Sequence, residues 1–138
     1  DPGPVLITVC VKQEQPLLRD AVAQTAIRLL LERARNSKVT IHAYCAMSTH
    51  LHFVATADGD TLLPDFMRSF KSGASHAINR LGVLKRRFEW QRSYFDTHAE
   101  DGREARNQVR YVLLNPVEAG LCQRWKDWPY SGHLSTPL

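Results

Sequence analysis

The triplet His50-Leu51-His52 is the part of the sequence with the clearest capacity for chemistry. Successive side chains of a β-strand point to opposite faces, so on a strand the two imidazoles would share one face and Leu51 would take the other. Two imidazoles on one face can bind a common cation, because imidazole is a ligand for several divalent metals. Two histidines at this spacing also occur by chance at structural or surface positions, so the triplet alone leaves both interpretations open.

Positive charge is concentrated between residues 66 and 92. The chain has 18 Lys and Arg against 14 Asp and Glu, and this stretch holds seven of the basic residues and a single acidic one, Glu89. Several Arg and Lys contacts displace counterions from phosphates, so one concentrated basic segment indicates a phosphate-bearing partner. A solvated helix face can have the same composition, and charge alone leaves these two interpretations open.

The elements that would position these residues follow from the hydrophobic pattern. Short β-branched or apolar runs predict strands, and apolar residues three and four apart predict amphipathic helices. The predicted strands cover residues 5–11, 39–47, 49–57 and 88–97, and the predicted helices cover about 18–35, 61–81 and 101–114. The order β-α-β-β-α-β-α predicts an α+β sandwich with one antiparallel sheet of about four strands.

Capping and breaking residues set the predicted helix ends. Thr61 can cap the second helix, and Gly82 ends it. Asp101 caps the third helix, with Glu104 three residues later as in a capping box. Pro116 is expected to end that helix.

Length and composition restrict the class of protein. With 138 residues, 43% of them hydrophobic and 23% charged, the chain fits one soluble globular domain over 1–138, with a C-terminal helix and tail from about 101. The longest nearly apolar run, residues 5–11, is far short of the ~20 residues that span a bilayer, so we expect no membrane partner. Three cysteines without CxxC spacing favour free thiols in a reducing cytoplasm. Because the sequence starts with Asp1 rather than Met, we expect it to be part of a longer protein.

Several segments resemble the HUH single-tyrosine transposases, in particular the REP-associated tyrosine transposases and related insertion-sequence transposases. The similar segments are Tyr44-x-x-Met47-x-x-His50-x-His52, residues 66–71, 78–81 and 90–96, Arg110-Tyr111-Val112-x-x-Asn115-Pro116, and Trp128-Pro129-Tyr130-Ser131. They run through nearly the whole chain, and together they are much more specific than the histidine triplet.

The resemblance implies a ferredoxin-like (HUH) sandwich and a strand-transfer endonuclease that acts on single-stranded DNA near hairpins. It implies that His50, His52 and one further polar side chain hold Mg²⁺ or Mn²⁺, which polarises the scissile phosphate. A tyrosine on the second helix would then attack phosphorus and leave a 5′-phosphotyrosine. Some members of the family build their sites across a homodimer and others act as monomers, so the oligomeric state stays open.

The sequence departs from the family pattern at the nucleophile. Our alignment places the family's tyrosine shortly after Lys71, at Gly73 or Ala74 with Gly73 preferred, and residues 61–93 contain no tyrosine. A glycine there also predicts a bent or interrupted helix. Three explanations are open: the chain binds DNA without cutting it, Tyr94 substitutes as the catalytic residue, or the tyrosine was removed deliberately. We favour the first, and we interpret Tyr111 as a packing residue on an apolar helix stripe.

The third metal ligand and the nucleic-acid surface are less defined. His76 and Asn79 are three apart on the second helix, so they share a face and either could reach the cation. A hydrogen bond at the helix end is the alternative for Asn79, and a position facing solvent or phosphate is the alternative for His76. The residues expected to bind nucleic acid are Arg68, Lys71, Arg80, Lys85, Arg86, Arg87, Trp90 and Arg92.

The sequence therefore predicts a transposase-like protein that binds single-stranded or hairpin DNA, with metal-dependent nicking and strand transfer as the family activity. The alternative is a catalytically inactive hairpin DNA- or RNA-binding regulator with vestigial histidines. A third hypothesis is a nuclease that uses water as nucleophile. It is the weakest of the three, because the carboxylates nearest His50 in the sequence, such as Asp58 and Asp60, supply an activating base poorly.

Overall fold

All seven predicted elements are present in the computed structural model, which describes residues 3–12 and 17–134. In chain order they are β1 Val5–Val11, α1 Asp20–Asn36, β2 Val39–Ala46, β3 His50–Ala57, α2 Leu63–Leu81, β4 Trp90–His98 and α3 Gly102–Glu118. The C-terminal segment adds a 3-10 turn at Trp125–Asp127 and a fifth strand, β5 Ser131–His133, which the sequence pattern did not predict.

The five strands form one antiparallel sheet in the order β4-β1-β3-β2-β5. The first four strands and the two helices between them have the ferredoxin-like arrangement, so the predicted fold class is confirmed. In the centre of the sheet Thr8 of β1 lies opposite His52 of β3. The new strand β5 pairs with β2, and Gly132 is needed there because a Cβ atom would collide with the Tyr44 ring.

Helices α1 and α2 cover one face of the sheet, which we call the helix face. Side chains from β1 and β3 such as Ile7, Leu51 and Phe53 pack there against Phe70 of α2, and all four are fully buried. Burying each such side chain contributes about 1.5–3 kcal/mol. Because residues alternate along β3, His50 and His52 must point to the opposite face.

Helix α3 covers that opposite face, which we call the α3 face. A smaller core there joins Val112 and Leu113 of α3 to Cys45 of β2 and Val54 of β3. The sheet therefore separates the histidine pair from α2. The helix predicted to carry the nucleophile lies on the wrong side of the sheet to meet the histidines.

Helix α2 runs without interruption from Leu63 to Leu81, so the predicted break at Gly73 is wrong. The helix crosses α1 at this glycine, where the guanidinium of Arg33 occupies the space of a side chain. Gly82 ends the helix with φ 66°, as predicted. The Thr61 hydroxyl donates to the Ser37 carbonyl instead of capping the helix, so the predicted cap is corrected.

Helix α3 begins as predicted and ends later than predicted. The Asp101 carboxylate accepts from the Glu104 amide at 2.8 Å, which confirms the cap. The helix continues through Pro116, because a proline in the last turn removes only one of its hydrogen bonds. It then closes at Gly120, where the Leu121 amide donates back to the Pro116 carbonyl at 2.9 Å. None of the described helices is both long and apolar enough to cross a bilayer.

Candidate functional site

The two histidines of β3 lie side by side on the α3 face. Their ring centroids are 4.3 Å apart at an interplanar angle of 67°. Nδ1 of His52 is hydrogen-bonded to the Thr8 hydroxyl at 2.8 Å, and Nδ1 of His50 to the Thr49 hydroxyl at 3.1 Å. Partners on Nδ1 fix each ring and leave Nε2 for a ligand, which is how metal-binding histidines are commonly held.

The electrostatics of the pair favour uncharged rings. Burial lowers the pKa of His50, and burial together with His50 lowers the pKa of His52 to about 4. Both imidazoles are therefore neutral at pH 7, which is the form that binds metal. These two residues fit a divalent cation in number of nitrogens, in ring orientation and in charge.

A complete ion site needs a further ligand, and the structure restricts its type. Within residues 3–12 and 17–134, no cluster of three His, Cys, Asp or Glu side chains could hold an ion. A third ligand from this part of the chain would thus be a side-chain amide, a hydroxyl or a backbone carbonyl oxygen.

Tyr111 of α3 is in direct contact with the histidine pair. Its ring centroid lies 5.5 Å from that of His52 at an angle of 74°, and the residue is 51% exposed. The interpretation of Tyr111 as a packing residue is therefore corrected. The signal was in the helix pattern, because Val112 and Leu113 define the buried stripe and Tyr111 is offset from it. Asn115 follows one helical turn later, on the same side of α3.

The expected ligands on α2 do not reach this site. The Asn79 side chain holds the loop after α2, because its Nδ2 donates to the Phe88 carbonyl at 3.1 Å and its Oδ1 accepts from the Phe88 amide at 2.7 Å. His76 is exposed on α2. Since α2 packs on the helix face, the structure corrects the placement of both residues, and of Gly73, beside the histidines.

Tyr94 is also separated from the histidine pair. It lies opposite Val9 in the sheet, packs against the core of the helix face, and has its pKa raised by burial and by Asp96. Its proposed substitution for the nucleophile is therefore corrected by its position. The next residue, Phe95, lies opposite Thr8 and so faces the α3 side, where it is 68% exposed.

Four of the seven basic residues of segment 66–92 lie together on the other side of β4. A cavity of about 540 Å³ between α2 and β4, which we call the basic cleft, has four basic residues and one acidic residue in its lining. These are Arg68, Lys71, Arg87, Arg92 and Glu89, and the polar side chains of Ser72, Ser75 and Tyr94 lie beside them. The Lys71 ammonium donates to the carbonyls of Gln91 and Arg92 at 2.7 and 2.9 Å, and burial lowers its pKa. Arg68 also makes an ion pair with Asp65 at 3.1 Å. Arg80, Lys85 and Arg86 are exposed.

Trp90 is placed differently from its expected role. Its ring is buried against Phe70 and Phe88, with centroids 5.8 and 5.0 Å away. A buried ring cannot stack on a base, so the structure corrects Trp90 from a nucleic-acid contact to a core residue. The interleaved aromatic pattern is the same for buried and exposed rings, which is why the sequence could not separate Trp90 from Phe95.

Comparisons with known proteins bear on the same segments. The family described as Transposase IS200 like matches residues 5–113, from the first residue of β1 into α3. The REP-associated tyrosine transposase of Escherichia coli (strain K12) is 25% identical over 130 residues, which are 94% of this chain and 75% of the relative.

Solved structures agree with the fold. A structure of a REP-associated tyrosine transposase bound to a REP hairpin superposes with a TM-score of 0.78 at 25% sequence identity, and the match covers 94% of this chain and 75% of that chain. A crystal structure of a Deinococcus radiodurans R1 protein gives a TM-score of 0.63 at 20% identity over 79% of this chain and 87% of that chain, which supports the fold alone.

Proposed function

This chain belongs to the IS200-like transposase family, and from that premise we propose that it binds hairpin DNA and cuts an adjoining single strand with Tyr111 as nucleophile. The observation that carries the proposal is the contact between the rings of Tyr111 and His52, 5.5 Å apart. A half-exposed tyrosine whose ring contacts one of two neutral imidazoles suits metal-assisted phosphoryl transfer.

The cation site consists of His50, His52 and one oxygen ligand. The two Nε2 atoms are the nitrogen ligands, since both Nδ1 atoms have hydroxyl partners. The amide oxygen of Asn115, one helical turn after Tyr111, is the proposed third ligand. When bound, Mg²⁺ or Mn²⁺ supplies Lewis-acid polarisation of the scissile phosphate.

The covalent step uses the Tyr111 hydroxyl alone. Its oxygen attacks phosphorus, its proton passes to solvent, and the bond from phosphorus to the 3′-oxygen breaks. The 3′-oxygen takes up a proton and becomes a free hydroxyl, while the strand that begins at the cut stays attached to Tyr111 through its 5′-phosphate. Attack by another 3′-hydroxyl reverses the step and joins a new strand. Because Tyr111 and His52 of one chain already meet, cleavage needs no helix from a second copy.

The DNA is proposed to pass around the exposed edge of the sheet. The basic cleft receives phosphates of the hairpin, because its arginines line one side of β4. The single strand crosses β4 to the α3 face, where exposed Phe95 offers a ring for base stacking. Stacking of this kind contributes about 1–3 kcal/mol per base.

The experiment uses a pool of labelled DNA hairpins with randomised single-stranded flanks and Mn²⁺. We expect the wild-type chain to form an adduct that survives denaturing electrophoresis. Tyr111→Phe removes the adduct and leaves hairpin binding unchanged. Tyr94→Phe is the matched control, because it removes a hydroxyl from the opposite face of the sheet and leaves the adduct intact.

Other outcomes separate the competing hypotheses. Hairpin binding without any adduct from the wild type favours the inactive DNA- or RNA-binding regulator. Cleaved DNA released without an adduct favours a water nucleophile. An adduct that persists in Tyr111→Phe contradicts the assignment of the nucleophile.

A further inference from the structure

Helix α3 carries a second group of basic side chains, which lies outside the basic cleft. Arg103, Arg106 and Arg110 are three and four residues apart, so they follow one side of the helix. We call these three residues the arginine stripe. All three are exposed, whereas the buried residues of α3 lie on the side that packs on the sheet. The stripe is therefore on the outer surface of the helix.

The position of these charges opposes the stability of the helix. Arg103 lies in the first turn, and the Arg106 side chain folds back toward that turn, with its Nη1 3.3 Å from the place that a Cβ atom on Gly102 would take. Positive charge is unfavourable at the start of a helix, because the backbone dipole is positive there. The last turn, where cations are favoured, contains no basic residue. Side chains that oppose local stability indicate a functional constraint.

The arginine stripe has no acidic partner in the described part of the chain. Within residues 3–12 and 17–134, none of its three guanidinium groups makes an ion pair or a hydrogen bond. Its members instead neighbour each other at spacings of three and four residues, where like charges repel. By contrast, Arg28 of α1 pairs with Glu32, and Arg68 of α2 pairs with Asp65, both at 3.1 Å.

The acidic side chains on and around α3 have other partners or lie at its ends. They are Glu100, Asp101 and Glu104 at the start of the helix and Glu118 at its end. Asp101 and Glu104 accept from backbone amides at 2.8 and 2.7 Å, and Glu118 lies two turns beyond Arg110. The stripe thus presents three positive charges along about 10 Å of helix, at a rise of 1.5 Å per residue. Successive phosphates of one DNA strand match it in charge and in shape.

The surface around Tyr111 connects the proposed cleavage site with the stripe. Tyr111 and Asn107 face β4, because they line a cavity of about 280 Å³ together with Thr97 and His98 of that strand. Asn107 lies one helical turn from Tyr111 and one turn from Arg103, so it joins this cavity to the stripe. A single strand that arrives at Tyr111 from β4 therefore meets the outer surface of α3 next.

We infer that the arginine stripe binds backbone phosphates of the single strand beyond the cut, on the side away from the hairpin. This inference rests on the proposed function and extends it to a further binding surface. The basic cleft holds the hairpin, Tyr111 meets the scissile phosphate, and the stripe holds the strand that continues past it. Phosphate contacts carry no direct sequence information, so the stripe strengthens binding whatever the sequence of this flank.

The test measures binding as a function of flank length, with a chelator present so that no strand is cut. One hairpin carries single-stranded flanks of increasing length and random sequence on one side or the other. We expect the affinity of the wild-type chain to rise with flank length on one side. The triple variant Arg103→Gln, Arg106→Gln, Arg110→Gln should lose the last part of this increase. With the long flank, its slope of log affinity against log salt should be smaller by about two, since each phosphate contact to a single strand contributes about 0.7.

Two controls separate this effect from general loss of charge and from misfolding. The variant Arg28→Gln, Arg35→Gln, Lys38→Asn removes three positive charges from exposed positions on and after α1, and it should keep the wild-type slope. Both triple variants should bind the hairpin without flanks as the wild type does, which shows that the fold is retained. Glutamine suits the α3 positions because its helix propensity is close to that of arginine.

A change in the DNA should reproduce the change in the protein. Uncharged methylphosphonates at the far end of the long flank should weaken binding to the wild-type chain and have no further effect on the α3 triple variant. An equal effect on both chains would contradict a contact between these phosphates and the stripe.

The outcomes distinguish this inference from the function on which it rests. Equal salt slopes for the wild type and the α3 triple variant on the long flank overturn the inference and leave hairpin binding intact. The same loss without flanks, or in the α1 control, also overturns it. A loss confined to the long flank, in a chain that forms no Tyr111 adduct, supports the stripe and overturns cleavage. Failure to bind any hairpin overturns both.

Discussion

The two faces of the sheet differ in what they bury. The helix face buries a large, almost wholly apolar core, and within residues 3–12 and 17–134 the one polar residue buried there is Thr25 of α1. The α3 face has a smaller core and buries three polar side chains among the described residues, His42, His52 and Gln108. Buried polar groups cost stability unless they are hydrogen-bonded, so their concentration on one face indicates where function rather than packing set the residue types.

The difference also assigns separate roles to the two sides. The helix face supplies most of the buried apolar area, and the basic cleft lies at its β4 edge. The α3 face brings together an imidazole pair, a tyrosine and a cavity of about 280 Å³. Substitutions on the α3 face should therefore change chemistry, and substitutions on the helix face should change stability or overall DNA affinity.

The largest expected effect comes from the histidine pair. His50→Ala should lower adduct formation with the hairpin pool by about a thousandfold, because it removes a ligand of the cation that polarises the phosphate. A chelator should have the same effect on the wild type. His76→Ala is the control on α2, and it should leave the rate unchanged. Equal losses in the two variants would contradict the division between the faces.

A tyrosine at position 73, where the alignment with the family expected one, should destabilise the fold. Gly73→Tyr should lower the free energy of unfolding by about 2 kcal/mol, because the new ring displaces the Arg33 guanidinium from the crossing of α1 and α2. Gly73→Ala should be close to neutral, since displacing Arg33 is offset by the better helix propensity of alanine. Urea denaturation measures both changes.

The same substitution tests the position of the nucleophile. In a Tyr111→Phe background, Gly73→Tyr should form no adduct, because the sheet lies between α2 and the histidines. Recovery of the adduct in this double variant would show that α2 can reach the site.

The basic cleft should affect affinity without affecting chemistry. Arg92→Ala should weaken hairpin binding and reduce the slope of log affinity against log salt by about one, because one phosphate contact is lost. Arg28→Ala is the matched control, since Arg28 pairs with Glu32 on the outer surface of α1. It removes the same charge and should leave the slope unchanged. A titration at several salt concentrations distinguishes the two.

The smallest effect concerns pH and the polar core of the α3 face. Burial and the nearby His133 lower the pKa of His42 below its usual value of about 6.5. Below that pH the unfolded chain takes up a proton that the folded chain does not, so stability falls as the pH falls. His42→Gln should reduce this slope by at most about 1.4 kcal/mol per pH unit, the limit for one proton. Urea denaturation at pH 7, 6 and 5 measures it, and an unchanged slope would count against the role of His42.

The sequence predicted the strands and helices well because their signals are local. The β-branched run of β1 and the side-chain cap at Asp101 depend on neighbouring residues only, and both are confirmed. The return bond of the predicted capping box differs, since Glu104 Oε1 accepts from the Glu100 amide rather than from that of Asp101. Strand β5 was missed because three residues that include Gly132 show no alternation. The pairing of β5 with β2 is a tertiary contact that the local pattern does not contain.

The histidine pair of the candidate site could also be predicted from local signals, whereas the tyrosine beside it could not. Alternation along β3 is local, and it placed His50 and His52 together. The nucleophile depends on which helix covers the histidine face, and that is decided by packing far along the chain. The sequence comparison chose α2, whereas the contact with His52 is made by Tyr111 of α3. Gly73 is explained by the close approach of Arg33 rather than by the loss of a tyrosine.

The C-terminal segment affects the proposed active site, although it lies farther along the chain. After α3 closes at Gly120, the chain turns back across β2, where the Ala46 carbonyl accepts from the Trp128 indole at 3.0 Å and the Ala46 amide donates to the Tyr130 carbonyl at 2.9 Å. These bonds attach the segment that follows α3 to β2, and so they hold the C-terminal end of α3 against the sheet. Proteolytic trimming just after Gly120 would release that end, so a chain shortened there would keep His50, His52 and Tyr111 and should still lose their alignment.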